Sequence, residues 1–190
     1  MAAPEKESKK IVIIISGEPG AGSTTISKEI ADRLGLDFFS PGKMHKKISG
    51  RKAESEAALK AWSTEEGRSN RFHIDLDRRQ TEVAKKGNVV ICGKLSIHFL
   101  KKFATFAVWL DVPAEVRAKR TAGRDGIDYE DALKMITNRE AIERKEFERI
   151  YGFDYVTQKN DANLVLDTSE MSIDGAVEKI LEKMKERKRI

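Results

Sequence analysis

Residues 11–26 read IVIIISGEPGAGSTTI, and the fold follows from this stretch. Ile11 to Ile15 is an unbroken β-branched run. Such a run suits a strand buried on both faces, as in a parallel sheet. It ends in Ser16-Gly17-Glu18-Pro19-Gly20-Ala21-Gly22, which is loop chemistry. A helix is expected from Ser23 or Thr24, with Ile26, Ile30, Ala31 and Leu34 on one face and Gly35 as its stop.

Outward from there the same alternation continues. Asp37–Phe39, Asn88–Cys92, Thr105–Leu110 and Asn163–Asp167 read as four further strands. Residues 41–86 are charged and helical in composition, with the best-formed helix over about 69–86. Pro113 suits the first position of a helix running to about Gly123. Further helices are expected over 128–150 and from Ser172 to about Arg187. The order predicts an α/β fold, a five-stranded parallel sheet flanked by helices. No repeat and no Pro/Ser-rich linker divides residues 11–187, so they read as one domain behind a flexible tail over 1–10.

Composition narrows the function classes. The 190 residues carry 36 Lys+Arg against 31 Asp+Glu, a net charge of +5. A chain of this length can bury roughly 70% of its unfolded surface and needs no covalent staple. Its single cysteine, Cys92, excludes a disulfide framework and a cysteine-rich zinc site. Three histidines, His45, His73 and His98, are scattered and read as ordinary residues. No stretch approaches the roughly eighteen apolar residues of a membrane span. MAAPEKESKK at the start has no apolar core and does not read as a secretory signal. A cytoplasmic protein is expected, with no membrane partner. The positive charge suits nucleic acid or any phosphate-bearing ligand. The basic run KMKERKRI at 183–190 reads as a solvated helix end, so nucleic acid is not the expected partner.

Gly17-Glu18-Pro19-Gly20-Ala21-Gly22-Ser23-Thr24 has the spacing G-x-x-x-x-G-x-T between a strand and a helix. This is the phosphate-loop pattern with Ser23 in place of its lysine. Glycines let successive N–H groups turn inward, and the helix adds the positive end of its dipole. The Thr24 hydroxyl stands where it could ligate magnesium. The plain alternative is a glycine-rich turn with no ligand. Without the lysine, charge for a transferring phosphoryl group must come from elsewhere. Arg117, Arg120 and Arg124 lie three and four apart on one helix face, and Arg139 and Arg144 follow on the next helix. They could form a closing lid, or only a salt-bridged, solvated face.

Several stretches in order resemble the archaeal type of cytidylate kinase, within the nucleoside monophosphate kinases. They are ISGEPGAGSTT from Ile15, FFSPGKMHKK from Phe38, LDRRQ from Leu76 and GNVVICGKL from Gly87. VWLDVPAEVRAKR from Val108, NREAIERKEFERIYGFD from Asn138 and NLVLDT from Asn163 complete the set, which covers about residues 11–185. The resemblance implies a core sheet, a helical monophosphate-binding region over about 40–67 and an arginine-rich lid over about 120–150. It implies transfer of the γ-phosphoryl of ATP to CMP or dCMP with magnesium. By it, Gly17, Glu18, Pro19, Gly20, Ala21, Gly22, Ser23, Thr24 and Thr25 hold ATP, with Thr24 on the metal. Ser40 and Gly42 begin the acceptor site, where Lys46, Arg78, Arg79 and Lys94 face the monophosphate. Arg117, Arg120 and Arg124 act on the transferring group, with Arg139 and Arg144 beyond them. The family often has threonine in the lysine place of the loop. Two departures concern the acceptor: Lys46 replaces an arginine, and Cys92-Gly93-Lys94 replaces an acid followed by Gly-Arg.

Cys92 itself reads as a buried strand-end residue rather than a reactive thiol, and Trp62 and Trp109 as packing residues. Two other functions stay open at this level. One is a kinase for another monophosphate or small metabolite. The other is a nucleotide-binding regulator, tied to RNA, that has lost turnover.

Overall fold

A computed structural model describes residues 10–43 and 54–187. Five strands form one all-parallel sheet: β1 (Val12–Gly17), β2 (Asp37–Phe39), β3 (Val89–Cys92), β4 (Phe106–Leu110) and β5 (Leu164–Leu166). Their order across the sheet is β2-β3-β1-β4-β5. β1 lies in the middle, with Ile15 opposite Cys92 on one side and Val108 on the other.

The unbroken β-branched run is explained by two cores. Ile13 and Ile15 point to one face, where they meet Ile26 and Ile30 of α1 (Ser23–Leu34) and Val177 and Ile180 of α8 (Ile173–Glu186). Val12 and Ile14 point to the other, among Trp62, Ile97, Trp109, Phe147 and Tyr155. These come from α2 (Glu54–Trp62), α5 (Ser96–Leu100), β4, α7 (Tyr129–Tyr151) and a 3₁₀ turn over Tyr155–Asp161. Both tryptophans are core, as expected. α3 (Glu65–Arg68), α4 (Asn70–Lys86) and α6 (Ala114–Asp125) complete the chain. The short α5 and the 3₁₀ turn are the elements the sequence pattern did not announce.

This topology positions the site. From β1 the chain leaves through α1 toward β2 at one edge. From β3 it leaves through α5 on the other face toward β4. A crevice therefore opens beyond the carboxyl ends of β1 and β3, where open α/β sheets bind ligands.

Candidate active site

The loop after β1 is built to leave its donors unused. Gly20 and Gly22 stand at φ +85° and +93°, backbone that favours glycine. A side chain at Gly20 would lie 2.8 Å from the Arg117 carbonyl and 2.9 Å from Thr121 Oγ1, so space as well as φ forbids one. α1 begins at Gly22 with no side-chain cap and no acid in its first turn. Three of the longer helices are capped: Ser69 Oγ accepts from Phe72 N, Asp128 from Glu130 N and Ser172 Oγ from Gly175 N, whereas α5 and α6, like α1, are not. Thr25 N donates to the Gly22 carbonyl at 3.1 Å, which leaves the N–H groups of Ser23 and Thr24 at the positive end of the helix dipole on the cavity wall, a ready anion seat.

That cavity has a volume of about 620 Å³. Residues 16–26 form one wall, and Ser40, Gly42, Cys92, Lys94, Arg120, Arg124 and Arg139 also line it. Cys92 is buried at the end of β3, as expected, with Sγ 3.8 Å from Thr24 Oγ1. Ser16 Oγ donates to the Gly93 carbonyl at 2.6 Å, tying β1 to the turn after β3.

The arginines expected to act together separate into distinct environments. Arg117 is buried and does not line the cavity; it clasps the loop from behind. Its Nε donates to the Val112 carbonyl at 2.9 Å and its Nη1 to the Pro19 carbonyl at 3.0 Å. Its Nη2 lies 3.0 Å from Glu140 and 3.6 Å from Glu18. Arg120 reaches the cavity and donates to the Ala21 carbonyl at 3.2 Å and to both oxygens of Thr168. Arg124 lines the cavity beside Asp125. Arg144 does not line it, because Glu140 and Asp154 hold it on the outer face of α7.

Two buried charge clusters flank the loop. Glu143 is 3% exposed and bridges two cavity-lining cations, Lys94 Nζ at 2.7 Å and Arg139 Nε at 2.8 Å. Burial alone would push its carboxyl up, but Arg139 and Lys94 together outweigh burial and hold it at about 2. Burial also lowers the Lys94 ammonium, and Glu143 opposes that fall. Nearby, the Glu18 carboxyl lies within hydrogen-bonding reach of Glu140. Burial and that contact raise Glu18 to about 7, against the pull of Arg117.

On α4 the residues expected at the acceptor do not line the cavity. Arg78 and Arg79 are exposed on its outer face, and Arg78 lies 4.0 Å from Asp75. A helix that buries Leu76 turns His73, Asp77 and Gln80 toward the cavity, since these sit three and four residues apart. Residues 78 and 79 fall on the opposite side. Asp77 Oδ1 accepts from Gln80 Nε2 at 2.8 Å and Oδ2 from the Tyr151 hydroxyl at 2.5 Å. Gln80 Oε1 accepts from Ser96 Oγ at 2.7 Å. Burial lifts Asp77 to about 6, although both hydrogen bonds pull it down. His73 is buried and satisfied: Nε2 meets the Gly67 carbonyl at 2.9 Å and the ring stacks on Trp62 at 4.7 Å. His98 packs against Phe153 away from the cavity. Lys46 and His45 lie outside the described residues, as does most of the tail over 1–10.

Known proteins agree with this frame. A model of the cytidylate kinase-like family matches residues 12–170. The chain belongs to that family. It is 37% identical to the cytidylate kinase of Pyrococcus horikoshii over 166 residues, covering 87% of this chain and 84% of the relative. It is also 37% identical to the cytidylate kinase of Ignicoccus hospitalis, covering 89% and 96%. Among solved structures, an uncharacterized protein from Eubacterium ventriosum superposes with TM-score 0.65 at 15% identity, covering 93% and 99%. Shikimate kinase from Bacteroides thetaiotaomicron superposes with TM-score 0.62 at 19% identity, covering 92% and 98%. These structures bear on the fold alone. Among the described residues no helix is long and apolar enough to cross a membrane. Nor does any group of three or more His, Cys, Asp or Glu residues there form a metal cluster.

Proposed function

We propose that this chain is a cytoplasmic cytidylate kinase that moves the γ-phosphoryl of ATP to CMP or dCMP, giving ADP and CDP or dCDP. The observation that carries this reading is one cavity that runs from an uncapped glycine loop to a polar, aromatic wall on α4. Family membership and the names of the relatives support it. The two nucleotides bring the phosphates. The protein must bring positioned charge and exclude water.

Residues 17–25 hold the ATP phosphates, through backbone N–H groups at every position but Pro19, with Arg117 fixing the loop from behind. Thr24 fits magnesium: it lines the cavity, and among the described residues its hydroxyl is paired with the Cys92 thiol, a poor magnesium ligand, so phosphate oxygens and water would supply the ion's other ligands. Magnesium, when bound, neutralises charge on the phosphate oxygens. Arg120 and Arg124 meet the transferring group. Lys94 and Arg139, aimed by Glu143, grip the acceptor phosphate beside Ser40 and Gly42. That phosphate is already anionic, so its oxygen attacks without a side-chain base.

ADP release with ATP and magnesium, measured against CMP, dCMP, UMP, AMP and GMP, tests the reading. CMP and dCMP are expected to give the highest kcat/KM. Preference for a purine monophosphate, or no ADP release with any acceptor, overturns it.

A further inference from the structure

The polar end of the cavity carries more information than a general affinity for nucleotides. His73, Leu76, Asp77 and Gln80 form one inward stripe of α4. Around them stand the rings of Trp62, Phe147 and Tyr151, a wall suited to a flat heterocycle. Within this wall Asp77 has an unusual set of neighbours. Its protein partners are neutral donors, Gln80 Nε2 and the Tyr151 hydroxyl, one on each oxygen. Among the described residues no ion pair to Asp77 is formed, and Arg78 turns to Asp75 instead.

The orientation of Gln80 is fixed from behind. Ser96 Oγ donates to its Oε1 at 2.7 Å, and Ser96 is fully buried. That leaves the amide N–H₂ to face Asp77. Each Asp77 oxygen thus keeps one occupied lone pair toward the protein and a second with no donor among the described residues. A half-buried carboxylate held this way has room for a further donor, and among the groups on the edge of a neutral base an exocyclic N–H₂ supplies one.

Pyrimidines differ at this edge. Cytosine presents an exocyclic N4–H₂ donor where uracil presents an acceptor oxygen. Against Asp77 the first completes a charge-assisted hydrogen bond, and the second sets two acceptors face to face. We propose that Asp77, oriented by Gln80 and Tyr151, reads the exocyclic amino group of the acceptor base and sets the preference for cytosine over uracil. This rests on the monophosphate-kinase reading above and adds the residue that chooses the base.

The test uses the full chain with ATP and magnesium. Initial rates with CMP and UMP are measured for wild type, Asp77→Asn and Tyr151→Phe, with calorimetric binding of each monophosphate in the absence of ATP. Asparagine keeps the shape but adds a donor that suits O4 of uracil. The ratio of kcat/KM for CMP over UMP is expected to fall at least about tenfold in Asp77→Asn, mainly through the KM for CMP. The KM for ATP should not move. Tyr151→Phe frees the carboxylate and should lower the same ratio about threefold. Equal losses for both acceptors, with the ratio unchanged, make Asp77 a prop for α4 and overturn the proposal. If Asp77→Asn does not fold, the ratio in Tyr151→Phe decides alone. Failure of the reading beneath looks different: wild type then neither binds nor phosphorylates either pyrimidine nucleotide.

Discussion

The two ends of the cavity are made of different material. At the loop end the cavity wall is mainly backbone, residues 17–25, all but Pro19 carrying an N–H, in a conformation set by the φ of Gly20 and Gly22. At the far end it is side chains from α2, α4, β3, α5 and α7, held in place by one another. At the loop end the acid is Glu18, engaged with Arg117 and Glu140, and the cations lining the cavity are Lys28, Arg120 and Arg124. The far end carries Asp77, Lys94, Arg139 and Glu143. A backbone site tolerates changes of side chain but not of conformation. A side-chain site tolerates small shifts of backbone but not the loss of a partner.

The largest effect should come from changing conformation at the loop end. Gly20→Val places branched carbon at φ +85° and within 2.8 Å of the Arg117 carbonyl. ATP affinity by calorimetry should fall at least about a hundredfold, since the N–H array itself is disturbed. Gly22→Ala is the sharper partner experiment. Its φ is as unfavourable, but the nearest atom to the added carbon is Arg120 Nη1 at 3.9 Å, so the loss should be much smaller. Equal losses at both positions would show that φ alone matters.

Arg120→Ala comes next, with kcat expected to fall about tenfold to a hundredfold and lysine rescuing only in part. Lysine cannot span the Ala21 carbonyl and Thr168 together as the guanidinium does. Thr24→Ala, beside it, should lower turnover about tenfold, and more steeply at low magnesium. Unchanged turnover would remove the metal role from Thr24.

Glu143→Gln strikes the side-chain end. It keeps the shape and leaves Lys94 and Arg139 buried without their counter-charge, a change that costs about 3 kcal/mol or more. Thermal unfolding should drop by about 6–12 °C. The sign with pH is defined. The Glu143 carboxyl sits at about 2 in the folded protein against an ordinary 4.5. Its contribution is present above pH 4.5 and lost as pH falls toward 2, so the gap between wild type and variant should close in acid.

The smallest effect tests Glu18, the acid of the loop end. Glu18 is held at about 7 against an ordinary 4.5, so the folded state keeps a proton that the unfolded chain releases between those values. Stability from this group is present below pH 4.5 and lost as pH rises through 7. Glu18→Gln mimics the protonated form. Its unfolding temperature should match wild type at pH 4.5 and exceed it by a few degrees at pH 8. No difference at pH 8 would mean that Glu18 is ionised in the folded protein with no penalty.

The same contrast explains what was legible in the sequence. The loop and the strands are local: β-branched runs mark the strands, and glycine spacing marks the turn. The far end depends on helix phase and on partners some seventy residues apart. The family resemblance drew attention to Arg78 and Arg79, whereas Leu76 and Ala84 already fix the inward face of α4, which takes in His73, Asp77 and Gln80. Likewise Arg117 shares its helix with Arg120 and Arg124, yet the Pro19 and Val112 carbonyls that it serves are visible only once β1 and β4 lie side by side. Glu143 carried no signal of its own. An i,i+4 pair with Arg139 could have been read, but Lys94 could not.

The placement of β1 has a consequence for how the protein breathes. β1 is paired on both sides and buried on both faces, so its amides should exchange with solvent only when the whole domain opens. β2 is three residues at the sheet edge, paired on one side and partly exposed, and it leads directly to Ser40 and Gly42. Local opening should therefore begin at the rim of the acceptor side and reach the strand beneath the glycine loop last. Deuterium uptake would be expected to sweep across the sheet in that direction, leaving one wall of the cavity protected long after the other has exchanged.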